Sequence, residues 1–117
     1  MEGITREAII GDFVATYRQI VKPLLERDEI ETARIPVEDL VIRYSLYLST
    51  FDVGSGGSPE AHYRVAIGSL QFLISEIREP EMFKRVLKKV DAQIGKIDLQ
   101  LSGNEDYRML TKGSSDN

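Results

Sequence analysis

The chain of 117 residues contains no cysteine and no tryptophan, and it has a single histidine. Without cysteine the protein forms no disulfide, has no thiol nucleophile and supplies no thiolate ligand for zinc. A lone histidine also excludes the spaced histidines of most transition-metal centres, and no Ser-His-acid arrangement is recognisable. We therefore expect no enzymatic centre, no metal and no cofactor.

Long apolar runs are also missing. No apolar stretch approaches the roughly 18 to 20 residues that cross a bilayer. The first six residues lack the basic run and long apolar core of a secretory signal. With 42% hydrophobic and 29% charged residues, the composition is that of a globular protein. We expect a cytoplasmic protein without membrane contact, with one domain over residues 1–103 and a mobile tail over 104–117.

The net charge of −4 is unevenly distributed along the chain. Residues 26–39 carry six acidic and two basic side chains, so this stretch accounts for the whole imbalance. Residues 80–101 carry five basic and three acidic side chains. We expect the acidic stretch to be a solvated connector, because it lacks the glycine and glutamate spacing of a calcium-binding loop.

The first helix begins after Thr5, whose hydroxyl can accept a hydrogen bond from an N–H of the opening turn. Ile4 and Ile9 flank this residue with the spacing of a hydrophobic staple. About two apolar residues per turn follow, which predicts a helix in the centre of the core. Pro23 interrupts the pattern because it has no N–H and its ring crowds the preceding turn, so we expect a kink or a break near Val21.

The second helix is predicted to start at Pro36, which suits a first helical position, and to continue to Phe51. Glu38 and Asp39 then complement the positive end of this helix. Residues 42–51 also alternate between apolar and polar side chains, which is typical of a strand. Helix is the preferred interpretation, because no other segment offers a strand to pair with.

Two further helices follow. The sequence Ser58-Pro59-Glu60 predicts the start of the third helix, and Pro80 ends it and opens the fourth. With almost no linker between them, we expect antiparallel neighbours or a sharp elbow. The fourth helix should end near Gly103. The predicted fold is therefore an all-α bundle of four main helices with a disordered C-terminal tail.

The fourth helix carries the sharpest pattern in the chain. Large apolar residues recur at alternating spacings of four and three: Phe83, Leu87, Val90, Ile94, Ile97 and Leu101. A stripe with this period packs against another helix, either in the same chain or in a second copy. Because the first and third helices also carry broad apolar stripes, packing of this stripe within the chain is the preferred interpretation. Contact with a second copy is the alternative.

The outer side of the fourth helix is basic, with Arg85, Lys88, Lys89 and Lys96 on one face. Such a face can neutralise several phosphates in sequence-independent nucleic-acid binding. No aromatic residue interleaves these cations to stack on bases. We therefore favour a solvated face, or one that meets an acidic protein.

The loop before the third helix is rich in glycine. Gly56, Gly57, Ser58 and His62 are candidates for an anion site, because glycines before a helix start let backbone N–H groups meet a phosphate. Pro59 occupies the third glycine position of a nucleotide-binding turn, and no Gly-Lys-Ser/Thr sequence follows. A plain connecting loop and a surface histidine are favoured.

No pattern in the chain identifies a reaction. Surplus apolar surface on long helices predicts a small intracellular protein-binding module of the adaptor, regulator, chaperone, immunity or inhibitor type, with homo-oligomerisation as one form of binding. A nucleic-acid-binding subunit using the basic face is the first alternative. A ligand- or phosphate-binding protein using the glycine loop is the second.

Overall fold

The computed structural model describes residues 5–51, 58–76 and 78–115, and these residues form helices and their connections without a strand. Helix α1 has three parts: an α-helix Arg6–Thr16, a π-helical turn Tyr17–Val21 and an α-helix Lys22–Glu26. The others are α2 (Ile30–Thr50), α3 (Pro59–Ser75), α4 (Pro80–Leu101) and α5 (Glu105–Ser115). The all-α class is confirmed, but the described chain has five helices rather than the predicted four.

The caps predicted for α1 and α3 are confirmed. The Thr5 hydroxyl accepts a hydrogen bond from the N–H of Ala8 at 3.1 Å. The Ser58 hydroxyl accepts one from the N–H of Ala61 at 3.2 Å. Each bond satisfies a backbone donor that a helix start would otherwise leave free. Ile4, one half of the predicted staple, lies outside the described residues.

The predicted interruption of α1 takes the form of a π-helical turn. The N–H of Lys22 donates to the carbonyl of Tyr17, five residues back instead of the four of an α-helix. This wider turn directly precedes Pro23, which has no N–H to donate and whose ring needs space beside the preceding turn. The helix therefore continues past Val21 to Glu26 without a break.

Helix α2 begins at Ile30, and the prediction that it starts at Pro36 was wrong. Ala33 is fully buried and Ile30 packs against the core, so burial of this extra turn outweighs the donor that Pro36 lacks. Most of the acidic stretch 26–39 is thus helix rather than connector. Residues 42–50 are also helical, which excludes the strand alternative.

Helices α3 and α4 form the most extensive helix pair. They are antiparallel, because His62 near the start of α3 hydrogen-bonds Gln93 of α4 at 2.6 Å, while Ile74 near the end of α3 and Phe83 near the start of α4 line the same cavity.

Pro80 is the first residue of α4, as the sequence predicts. The prediction that Pro80 also ends α3 was wrong, because α3 ends at Ser75 and residues 76–79 separate the two helices.

Helix α5 corrects the prediction of a disordered tail. Tyr107 of α5 is 1% exposed, and its hydroxyl donates a hydrogen bond to Asp98 of α4. The Asp98 carboxylate also pairs with Arg18 of α1. Gly11 of α1 lets α5 approach closely, since a Cβ atom there would lie 3.3 Å from side-chain atoms of Tyr107 and Leu110. The prediction failed because the burial of Tyr107 and Thr111 against other helices outweighs the small number of apolar residues in this segment. Residues 116–117 lie outside the described part.

The core is rich in aromatic side chains. The Tyr63 ring lies 4.8 to 5.3 Å, centroid to centroid, from the rings of Phe13, Tyr44 and Tyr47. Burial raises the pKa of the five tyrosines above its ordinary value: Tyr17, Tyr44, Tyr47, Tyr63 and Tyr107.

In the described ranges, none of the helices has both the length and the hydrophobicity needed to cross a bilayer.

Candidate protein-binding cleft at the start of helix α4

The apolar stripe of α4 divides into two parts. Val90, Ile94, Ile97 and Leu101 are buried in the core, where they pack against other helices of the same chain. These four predicted interface residues are therefore not available to a second copy in the folded chain. The other two, Phe83 and Leu87, are only half-buried and border a cleft.

The cleft has a volume of about 830 Å³ and lies where four chain segments meet. These segments are the end of α1, the start of α2, the end of α3 and the start of α4. Its apolar lining consists of Leu25, Ile30, Ile74, Pro80, Phe83 and Leu87. A concave apolar surface of this size, accessible from solvent, is the usual form of a binding site.

Charged side chains of both signs surround this apolar lining. The cations are Arg34, Arg78, Lys84 and Lys88, and the anions are Glu26, Asp28, Glu31 and Asp91. A site with this lining can hold a molecule that has an apolar face and charges at its edges. It is not suited to a ligand that is apolar throughout, because the charged groups would lose water without gaining a partner.

Some of these charges already have partners. Arg34 pairs with Glu31 at 3.1 Å and donates to the carbonyl of Ile74 at 3.2 Å. The hydrogen bond from Arg34 lowers the pKa of Glu31. Asp91 accepts a hydrogen bond from the Tyr17 hydroxyl at 2.7 Å. These groups fix the shape of the cleft and tie α4 to α1 and α2 to α3.

Other charges at the cleft have no such partner. Within residues 5–51, 58–76 and 78–115, no oppositely charged group lies within ion-pair distance of Lys84 or Lys88 on α4. The same holds for Glu26 and Asp28 at the end of α1. The cleft thus has unpaired cations on one side and unpaired anions on the other.

The turn between α1 and α2 positions the acidic side of the cleft. Asp28 has a left-handed backbone conformation with φ of 62°, which is uncommon outside glycine but tolerated by aspartate. The N–H groups of Asp28 and Glu29 donate to the carbonyls of Leu25 at 3.1 Å and Leu24 at 2.9 Å. This hydrogen-bonded turn ends α1 sharply and keeps Leu25 facing the cleft.

The predicted anion loop falls only partly within the described residues. Gly56 and Gly57 lie outside them, and the Ser58 hydroxyl is occupied by its capping bond. His62 contacts Gln93 of α4 rather than standing alone on the surface. The structure therefore does not bring the four predicted residues together into a site.

A buried carboxylate occupies the start of α3. Glu60 is 7% exposed and pairs with Arg6 at 2.8 Å. Burial by itself raises the pKa of Glu60, but its own backbone N–H and Arg6 have the larger combined effect, so the pKa is lowered. An incoming phosphate would meet this negative charge at the positive helix end. The sequence predicts Glu60 only as part of the start of this helix, and no local pattern indicates its burial.

The predicted basic face is present as expected from the helical period. Arg85, Lys88, Lys89 and Lys96 are all exposed. Among the described residues, none of them forms an ion pair. Lys88 also lines the cleft, so the basic face and the cleft adjoin along α4.

The period of α4 identifies Phe83, Leu87 and Lys88, but no pattern in the sequence indicates the cleft residues on the other helices. Leu25 belongs to the apolar pattern that predicts a buried first helix, and Ile30 lies in the acidic stretch that predicts a connector. In the described part of the chain, no group of three or more histidines and carboxylates is arranged to hold a metal ion.

The chain matches no protein-family model, no curated protein and no solved structure.

Proposed function

We propose that the protein is a protein-binding module that receives an amphipathic helix of another protein in the cleft at the start of α4. The observation that supports this most strongly is the apolar lining between unpaired charges of opposite sign. Helix-in-groove recognition uses such a surface, with apolar side chains of the bound helix spaced at three and four residues. The proposed role is non-enzymatic and needs no cofactor.

The charges define the kind of helix that fits. The edge facing Lys84 and Lys88 should carry carboxylates, and the edge facing Glu26 and Asp28 should carry lysine or arginine. Between these edges, two or three large apolar side chains of the bound helix would cover Phe83 and the rest of the apolar lining of the cleft. Burial of this apolar surface supplies most of the affinity, and the charges set orientation and specificity.

A displayed library of amphipathic helices with randomised apolar and edge positions tests this proposal. We expect selection of helices with the charge arrangement above, and we expect their NMR shift changes to map to Ile30, Ile74 and Leu87. Lys84→Glu should weaken a selected helix by about three- to tenfold, because it replaces attraction by repulsion at a partly exposed pair.

The matched control is Lys89→Glu, which makes the same charge change on the same helix but outside the cleft. It should leave the affinity of the selected helix unchanged. Failure to select any helix, or equal loss of affinity in both variants, would contradict the proposed site.

A nucleic-acid-binding role is the second candidate, and the exposed basic face without ion pairs supports it. Binding through four phosphate contacts should fall with salt with a logarithmic slope of about −3 to −4. Replacing both Lys89 and Lys96 by glutamate should abolish this binding without affecting the cleft. Absence of DNA and RNA binding at low salt would exclude this candidate.

A further inference from the structure

Helix α2 has a second apolar face that no other part of the described chain covers. Ile35 is 74% exposed, Ile42 is 61% exposed and Leu46 is 64% exposed. Single exposed aliphatic residues are common on proteins, but an aligned group is unusual on a monomer. We call Ile35, Ile42 and Leu46 the outer stripe.

The outer stripe lies opposite the buried face of the same helix. At 3.6 residues per turn, its three side chains fall within a narrow sector and span about 16 Å along the axis. The core side of α2 is formed by Ala33, Val37, Leu40, Tyr44 and Tyr47. Helix α2 is therefore apolar on two opposite sides, which is the pattern of a helix between two packing partners.

The two edges of the outer stripe differ in charge. One edge carries Asp39 and Arg43, which are 2.8 Å apart, and Arg43 also pairs with Asp12 of α1. The other edge carries exposed acids and hydroxyls: Glu31, Glu38, Ser45 and Ser49. This asymmetry determines which arrangement of two such helices avoids repulsion.

We propose that the outer stripe is the interface of an antiparallel homodimer, with a second copy of α2 as its occupant. A two-fold axis that relates antiparallel helices places like edges together. If Ile35 packs against Leu46 of the second copy, Asp39 lies beside Arg43 of that copy. In this register Asp39 lies nearer to Arg43 of the second copy than to its Asp39, and on the other edge Glu38 lies nearer to Ser45 than to Glu38.

The charges also disfavour the parallel alternative. A parallel pair brings opposite edges together at the same height, as between the flanking positions of parallel coiled coils. Asp39 would then face Glu38 of the second copy, and both copies would suffer this repulsion. The charges beside the stripe therefore favour the antiparallel orientation.

The dimer leaves the cleft accessible. Of the three α2 residues that line the cleft, Ile30 and Arg34 lie on other sides of the helix from the outer stripe. The third, Glu31, lies one turn before Ile35 at the edge of the stripe, where it pairs with Arg34. A dimer would present two clefts and could bind a partner with two helices more tightly than either cleft alone. The interface itself is small, because one helix per copy buries less than the roughly 800 Å² of a standard partner surface. We therefore expect dissociation on dilution.

Sedimentation velocity across a dilution series tests the dimer. The unaltered chain should be dimeric at high micromolar concentration and monomeric at low concentration. Ile42→Glu and Leu46→Glu should each be monomeric throughout, with circular dichroism and melting temperature confirming that these exposed substitutions leave the fold intact. Leu99→Glu is the control, since Leu99 is 82% exposed on α4 and should not alter the dimer.

Engineered cysteines test the orientation, because the chain has none of its own. Mixing Ile35→Cys chains with Leu46→Cys chains under mild oxidation should give mainly the mixed disulfide. Predominant linkage between two Ile35→Cys chains would overturn the antiparallel arrangement. A monomer at every concentration, or a dimer that persists in Leu46→Glu, would overturn the interface. Leu46→Glu should not change the affinity of a helix for the cleft, so the two proposals fail separately.

Discussion

The two halves of α4 carry one continuous apolar stripe but meet different surroundings. In the C-terminal half, Ile94 and Ile97 are buried, and Asp98 is bound by side chains of α1 and α5. In the N-terminal half, Phe83 and Leu87 border an open cleft. The comparison shows that periodicity identifies an apolar face but not what covers it. In this protein, one stripe serves both the core and the candidate site.

The largest expected effect is unfolding at alkaline pH of the core that covers the C-terminal half of α4. The folded state raises the pKa of the five tyrosines, so it retains phenol protons that the unfolded chain releases above about pH 10. The tyrosines should therefore leave the free energy of unfolding unchanged below that pH and lower it above, by up to about 1.4 kcal/mol per pH unit for each tyrosine. We expect unfolding by about pH 12, since domains are typically stable by only 5 to 15 kcal/mol.

Tyrosinate absorbance at 295 nm and helical circular dichroism should change together in this titration. Guanidine-unfolded protein is the reference and should titrate near the ordinary tyrosine pKa. Gradual ionisation of the native protein around pH 10, with circular dichroism unchanged, would show that the tyrosines are not enclosed as described.

The next largest effect should come from Ile97→Ala in the C-terminal half of α4, which other helices cover. Ile97 is fully buried, so the substitution leaves a cavity and should lower the free energy of unfolding by about 2 to 5 kcal/mol. Urea denaturation measures this change. Leu99→Ala, two residues further on and 82% exposed, should change it by less than about 0.5 kcal/mol.

Asp98→Asn should have a smaller effect. It keeps the shape of the side chain but weakens the charge-assisted bonds to Arg18 and Tyr107. Because Asp98 is partly exposed, we expect a loss of about 1 kcal/mol. Hydrogen exchange should show the loosening in α5 before the other helices. Uniform loosening of all helices would mean that α5 does not depend on this contact.

The smallest effect should come from Leu87→Ala in the N-terminal half of α4, which borders the open cleft. Leu87 is half-buried, so its loss should lower the free energy of unfolding by about 1 kcal/mol or less. The same substitution should weaken a helix bound in the cleft. A stability loss as large as that of Ile97→Ala would show that the two halves are equally part of the core.

Local signals made much of the fold predictable. Thr5, Ser58 and Pro80 act within a single turn, so helix starts could be read from neighbouring residues. The start of α2 and the existence of α5 depend on tertiary burial of Ala33 and Tyr107, which no local rule reports. The cleft was the least predictable feature, because four separated segments form it.

Because of the π turn, the number of residues in α1 can change without changing the alignment of its side chains. A π turn holds one residue more than an α-helical turn, so α1 is equivalent to an α-helix with a single inserted residue. Deleting the exposed Ile20 together with Pro23→Ala should restore an ordinary helix while keeping Tyr17 and Leu25 on their present sides. In an unbroken α-helix, the same deletion would rotate every later residue by about 100°. Leu25 of the cleft and Tyr17 of the core are thus joined across a turn where α1 can lose one residue without changing which of its side chains face inward.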